Sequence, residues 1–273
     1  MPDTFSTTRL ELRPDSGLCF AKTMSATPKE ENDGPAAPLP AAADPGPAPV
    51  LPPDFLQRLS LRPTRMRWAV HVFMFVVLSL VLPLYFRYRV RGRRHIPRSG
   101  PVLIVVNHAS HLDPLLIGAV CCRRMFRYMA KEDLWRGSKA FRFMMENLGA
   151  FPVRRGAADR DALRYASELL EAGQALVVFP EGTRTRDGSI GDAQPGVAMI
   201  LSKHPDVPIL PLRIDGAFEA FGSGMRFPAP HRIAIAIGPT FTLAHKFREK
   251  TSRKQLYREI GDEVMVRIRQ ARP

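Results

Sequence analysis

From Pro101 onward, short apolar runs alternate with stretches of helical period. The runs are VLIVV at 102–106, RYMA at 127–130, LVVF at 176–179, PILPLRI at 208–214 and RIAIAI at 232–237, and their length and Val/Ile content read as strands. Between them, residues 159–172 set Leu163, Ala166, Leu169 and Leu170 on one face, with Asp159 as N-cap and Gly173 as the stop. A last pattern over about 245–270 places Leu256, Ile260, Val264 and Ile268 at i, i+4 intervals among Lys and Arg. This predicts an amphipathic helix, read more simply as packed on the domain than as a membrane contact. The alternation predicts an α/β fold: a single domain with a mixed, largely parallel sheet flanked by helices. Val207-Pro208-Ile209-Leu210-Pro211-Leu212 carries two prolines that block ladder bonds, so its strand is expected at an edge or irregular, lining a greasy groove or packing in the core.

One segment fits neither period. Trp68–Phe86 is apolar for 19 residues, roughly 28 Å as a helix at ~1.5 Å per residue, against a bilayer core of ~30 Å. Arg58, Arg62, Arg65 and Arg67 precede it, and Arg87, Arg89, Arg91, Arg93 and Arg94 follow it. A cytoplasmic excess of basic residues normally marks one side only. Two basic ends, with His71 and Pro83 between, favour insertion in the plane of the membrane or a dip into one leaflet and back, over a true span or a buried soluble helix. Residues 28–53 contain nine prolines among Ala, Gly and Asp, a composition that buries too little apolar surface to offset its ordering entropy. The chain thus divides into a disordered leader at 1–53, a membrane-attaching helical segment at 54–95 and a catalytic domain at 96–273. The first residues lack the features of a secretory signal, and Met24 is an alternative start.

With 273 residues, the chain has room for one α/β domain plus extensions. Charge narrows the partners. Residues 1–50 hold 4 basic and 7 acidic side chains, so the net charge of +14 becomes +17 over residues 51–273. Such a surface suits nucleic acid, anionic lipid or phosphorylated substrates. Basic residues flanking an apolar segment, with no nucleic-acid reading motif, argue against nucleic acid. Cys19, Cys121 and Cys122 offer no disulfide framework, and no His/Cys cluster has metal-ligand spacing, so no metal is expected.

Chemistry concentrates after the strands. Asn107-His108-Ala109-Ser110-His111-Leu112-Asp113 follows VLIVV directly. A carboxylate that accepts from one imidazole nitrogen fixes the tautomer and frees the other as a general base. On a regular helix, five residues put His108 and Asp113 about 140° apart, so a loop entering a helix is expected. His111 is a competing base without a carboxylate at that spacing. Phe179-Pro180-Glu181-Gly182-Thr183-Arg184-Thr185 supplies a small residue where a ligand can approach the backbone, and a planar cation suited to phosphate. Gly149-Ala150-Phe151-Pro152-Val153-Arg154-Arg155 ends a short extended run with two guanidinium groups. Each block alone also reads as ordinary capping, turn or surface chemistry.

The four blocks NHASHLD, GAFPVRR, FPEGTRT and VPILPL, in this order over about residues 90–240, resemble the glycerolipid acyltransferase family that includes 1-acylglycerol-3-phosphate acyltransferases. The resemblance implies transfer of a fatty acyl group to a lysophospholipid hydroxyl, with acyl-CoA or acyl-acyl carrier protein as co-substrate and no cofactor. It implies His108 as general base, Asp113 as the group that orients it, and Lys131, in Met129-Ala130-Lys131-Glu132, as oxyanion donor. Arg154, Arg155, Glu181, Gly182, Thr183 and Arg184 would hold the acceptor's phosphate and glycerol. An anionic membrane surface, at the cytoplasmic face of the inner membrane, would be the partner. Arg154 stands where members of the family often carry an acidic or neutral residue. Gln194 falls in a stretch where many carry Lys or Arg, which keeps another lyso-lipid, such as a lyso-ornithine lipid, as an alternative acceptor. A non-catalytic basic membrane-binding protein is the alternative of another class.

Overall fold

The computed structural model of the chain describes Phe55, Leu59 and residues 64–120, 123–154, 159–248 and 251–272. The expected leader at 1–53, the three cysteines and Arg155 lie outside the described residues. Seven strands form one sheet: β1 (Arg89–Arg91), β2 (Val102–Val106), β3 (Phe126–Lys131), β4 (Ala150–Val153), β5 (Ala175–Val178), β6 (Ile209–Asp215) and β7 (Ala234–Ile237), in the order β1-β7-β6-β2-β5-β3-β4. Pairing is parallel from β6 through β4, whereas β7 meets β6 antiparallel and pairs parallel with β1. β1 and β7 therefore run against the other five strands, and the expected mixed, largely parallel sheet is what forms.

Every residue of β2 and β5 is buried. A central strand covered on both faces leaves no side for polar residues, which is why these two read as unbroken apolar runs. One cover is made by α1 (Arg65–Phe86), α2 (Asp113–Gly118) and α6 (Ala217–Phe221), packed over Ile104, Val106, Val177 and Leu212. The other is made by α4 (Arg160–Glu171), α5 (Gly196–Lys203) and α7 (Arg253–Gln270), packed over Leu103, Val105 and Leu176. The remaining helix, α3 (Lys139–Asn147), lies against α1 and β4.

Local signals set the helix limits. Asp159 Oδ1 accepts from the Ala162 N–H at 3.1 Å and starts α4. Ser252 caps α7, so the last helix begins at Arg253, later than the periodicity suggests, after a separate turn of 3₁₀ helix at Ala244–Arg248. Ile260, Val264 and Ile268 are fully buried, so this helix packs on the domain.

Two expectations change. β6 is an interior strand between β2 and β7, and its Ile209, Leu210 and Leu212 are core residues. It tolerates Pro211 because the β7 ladder starts only at Leu212, while the Pro211 carbonyl accepts from the Gly238 N–H at 2.9 Å. The apolar segment, in turn, makes one unbroken helix, α1, with no return within it. Pro83 sits inside α1 without reversing the chain, which leaves the helix through Arg87, at φ 47°. Leu78, Leu82 and Phe86 bury one stripe of α1 against the sheet cover, while Phe73, Val76, Leu80 and Leu84 stay exposed.

Gly149 joins α3 to β4 at φ +92°, and a Cβ there would stand 2.5 Å from the Phe126 carbonyl oxygen in β3. The contact is with backbone, so it cannot be relieved by rotating a side chain. Gly149→Ala should lower unfolding free energy by about 2–4 kcal/mol in denaturant titration, from left-handed strain and the clash combined.

Candidate active site

The carboxyl ends of β2, β5, β3 and β4, four strands adjacent in that order, open on the same edge of the sheet. His108 follows β2, Phe179–Arg184 follow β5, Lys131 ends β3 and Arg154 follows β4. Loops scattered over 50 residues or more of sequence are thereby gathered at one place, the usual position for ligands in open α/β sheets.

Asn107 sets the direction of the first loop. Its side-chain amide donates to the Ile214 carbonyl at 2.9 Å and its Oδ1 accepts from the Ile214 N–H at 2.8 Å, so it extends the β2–β6 ladder by one rung. The chain then turns, and Asp113 begins α2. Asp113 Oδ2 accepts from His108 Nδ1 at 2.7 Å and from the Ala109 and Ser110 N–H groups at 2.8 and 2.9 Å. Asp113 is fully buried, and its Oδ1 has no hydrogen-bond partner among the described residues. A carboxylate held this way accepts a hydrogen bond from Nδ1–H and leaves His108 Nε2 available as a base. The His108 ring also stacks on Phe179, with centroids 4.0 Å apart and planes 21° from parallel.

Glu181 ties the second loop to the first. Its Oε1 accepts from the His108 N–H at 2.8 Å and its Oε2 from the Gly191 N–H at 3.0 Å, and the His108 carbonyl accepts from the Thr185 N–H at 2.9 Å. Gly182 adopts φ +69°, and a Cβ there would press on the Gln194 side chain at 3.1 Å. Thr183 is exposed, and its hydroxyl donates to the Arg184 carbonyl at 3.1 Å. The Arg184 guanidinium donates to His111 Nε2.

His108 and Arg184 border a cavity of about 580 Å³ that runs under α1 and past α3. Its walls are mainly apolar, with Phe75 and Leu78 from α1, Met144 and Met145 from α3, and Phe179 and Ile200. Lys131 also lines it, and its ammonium pairs with Asp133. Arg154 is not among the lining residues; it lies 3.6 Å from Asp159 and 3.8 Å from Asp161, at the start of α4. The structure thus gathers His108, Asp113, Glu181, Gly182, Arg184 and Lys131 and sets Arg154 to one side. No cluster of metal-ligating side chains occurs among the described residues.

Residues 87–215 match the acyltransferase family profile. The chain is 32% identical over 157 residues to mouse (Mus musculus) 1-acyl-sn-glycerol-3-phosphate acyltransferase alpha, covering 56% of this chain and 54% of the relative. It is 34% identical over 136 residues to a probable 1-acyl-sn-glycerol-3-phosphate acyltransferase of Mycoplasma genitalium, covering 48% and 50%. Residues 87–215 are an acyltransferase-family domain. The chain spans about half the length of these curated relatives. The crystal structure of the 1-acyl-sn-glycerophosphate acyltransferase of Thermotoga maritima shares the fold, with a TM-score of 0.59 at 24% identity, over 75% of this chain and 78% of that one.

Within the acyltransferase domain, three contacts have no separate signal in the sequence: the Asn107 rung, the Phe179 stack and the Glu181 bridge. Each joins residues far apart in the chain, and although Asn107, Phe179 and Glu181 all fall in recognisable blocks, the partner of each lies elsewhere. His111 has a different place from the competing base that its type suggests. Partial burial, followed by the adjoining Arg184 cation, holds its pKa below the usual histidine value of 6.5, with His108 adding to the effect and Asp113 opposing it. Neutral His111 is then an acceptor that positions Arg184.

A folded pKa below the unfolded one means that stability is full above 6.5 and declines as pH falls through the window down to the lower folded value. An NMR titration should place the His111 midpoint below 6.5, and Arg184→Gln should move it part of the way back up.

Proposed function

We propose that the chain is an O-acyltransferase. It moves a fatty acyl group from acyl-CoA or acyl-acyl carrier protein to the sn-2 hydroxyl of 1-acyl-sn-glycerol 3-phosphate, giving phosphatidic acid. The observation that carries this reading is the His108–Asp113 pair at 2.7 Å on the wall of a long apolar cavity with Arg184 at the same wall. The names of the relatives support the acceptor.

The acceptor hydroxyl gives its proton to His108 Nε2 as its oxygen attacks the thioester carbonyl carbon. Asp113 stabilises the positive charge that develops on the ring. The tetrahedral intermediate carries an oxyanion, for which Lys131 is the assigned donor. Collapse breaks the C–S bond, and the departing sulfur takes the proton from His108. The substrate hydroxyl occupies the nucleophile's place in a triad, so no acyl-enzyme forms. Arg184, with Arg155 of the second block, binds the phosphate through charge-assisted hydrogen bonds, while Arg154 stays with Asp159 and Asp161 at the start of α4. The apolar cavity takes acyl chain.

We place the domain at the cytoplasmic face of the inner membrane, with α1 in the plane of the interface. Only 22% of its most apolar stretch is buried in the protein, unlike a core helix, and the stripe against the sheet ties it to the domain. Gln194, which lines the cavity beside Gly182, favours one second reading: an acceptor without the phosphomonoester, such as a lyso-ornithine lipid.

Purified chain in detergent, given labelled acyl-CoA or acyl-acyl carrier protein and a panel of lyso-lipids, should acylate lysophosphatidate fastest. Product from another lyso-lipid and none from lysophosphatidate would replace the first reading with the second. His108→Ala should reduce turnover roughly a hundred- to ten-thousand-fold, and Asp113→Asn should follow the same direction. Undiminished turnover in His108→Ala would refute the mechanism. No product with any acceptor would favour a basic membrane-binding protein without catalysis.

A further inference from the structure

A second cavity of about 410 Å³ lies at the other end of the same sheet, against β1, β7 and the end of β6. Arg89, Arg91, His231 and Arg232 line it, together with Asp215 and Glu219. Asp215 is already engaged, accepting from Arg213 Nε at 2.8 Å. Arg89, Arg91 and Arg232 form no ion pair among the described residues, so three guanidinium groups face one free carboxylate, Glu219. Such an excess of unpaired cations around a cavity suits a phosphate group.

Its position follows from the topology. The carboxyl end of β6 lies at the same edge of the sheet as that of its parallel neighbour β2. β1 and β7 run the opposite way, so their amino ends, Arg89 and Ala234, reach that edge too. The basic cleft therefore opens on the edge that carries His108, three strands along. Beside it, the Tyr85 hydroxyl donates to the Pro228 carbonyl at 3.0 Å and joins the end of α1 to the 226–228 loop. Leu84 is 85% exposed and Phe227 is 72% exposed, and each stands five residues ahead of a cleft arginine, Arg89 and Arg232 respectively.

Unpaired cations next to exposed aromatic and aliphatic side chains match a bilayer interface, where phosphates lie above acyl chains. Free phosphate would gain nothing from exposed Leu84 and Phe227, whereas a bilayer meets the cations and the apolar side chains together. We infer that the Arg89–Arg91–Arg232 cleft binds the phosphate head group of an anionic membrane phospholipid, apart from the catalytic cavity, and sets the domain on the bilayer with its substrate edge inward. The inference rests on the reading of α1 as lying in the interface, and it does not depend on which lyso-lipid is acylated.

The test uses the full chain, wild type and Arg89→Gln/Arg232→Gln, with a control of equal charge loss, Arg253→Gln/Arg258→Gln, on the opposite cover of the sheet. Sedimentation with vesicles of phosphatidylcholine alone, or with phosphatidylglycerol added, reads the binding. The cleft variant should lose on the order of thirtyfold in affinity for the anionic vesicles, with neutral vesicles unaffected and the control changed much less. Turnover of a soluble short-chain lysophosphatidate should stay at wild-type rate, and this separates the cleft from the catalytic reading. The inference is overturned if the cleft variant binds anionic vesicles like wild type or no worse than the control does. Wild type that ignores phosphatidylglycerol also overturns it, as does millimolar inorganic phosphate that displaces the vesicles through the cleft. A defect confined to acyl-acyl carrier protein turnover would assign the cleft to the carrier instead.

Discussion

Asp113 Oδ2 accepts three hydrogen bonds at 2.7–2.9 Å, from the His108 ring and from two successive backbone N–H groups of the loop between them. An ionised carboxylate in a fully buried position is costly unless donors surround it. The loop can supply those donors only when it wraps tightly around the start of α2, and that same wrapping brings His108 within reach. The geometry of the His108–Asp113 pair and the local fold are thus fixed by one condition. The Asn107 rung to Ile214 and the Glu181 bridge hold the loop from its other sides, so the imidazole is located by β2, β5 and β6 together.

The dependence extends to the sheet. Adjacent parallel strands deliver their carboxyl ends to one edge, and the order β2-β5-β3-β4 sets the base, the Glu181–Arg184 loop, Lys131 and Arg154 side by side. Reversal of β1 and β7 puts their amino ends there as well. One edge then carries both the cavity beside His108 and a cluster of arginines without an ion pair among the described residues. The neighbouring helix α1 buries one stripe against the core and leaves its other face apolar and open.

Much of this is legible in the sequence, and what is not has physical reasons. β2 and β5 are plain because burial on both faces removes polar residues altogether. The limits of α4 are plain because Asp159 caps it, a local interaction between residues three apart. β1 is not plain: in Tyr88-Arg89-Val90-Arg91 the alternation is too short to stand out, and the arginines look like the basic flank of the apolar segment. The interior place of β6 is hidden as well, since two prolines argue for an edge unless one knows that the β7 ladder stops short of Pro211. At the site, spacing permits the His108–Asp113 partnership, and the family resemblance of the four blocks together singles it out. The Glu181 contact to the His108 backbone spans 73 residues and has no local signature.

That contact changes what Glu181 does. As a residue of a polar block, Glu181 invites a role toward substrate. In the fold its two carboxylate oxygens accept from backbone N–H groups of His108 and Gly191, so the carboxylate is held between the His108 loop and the 191 segment. Arg184 differs. Its partner His111 is kept neutral by partial burial and by Arg184 itself, and a neutral imidazole is a weaker acceptor than phosphate. Of the charged residues in the block, Glu181 therefore holds the backbone of His108, and Arg184 is the one whose existing contact an incoming anion can replace.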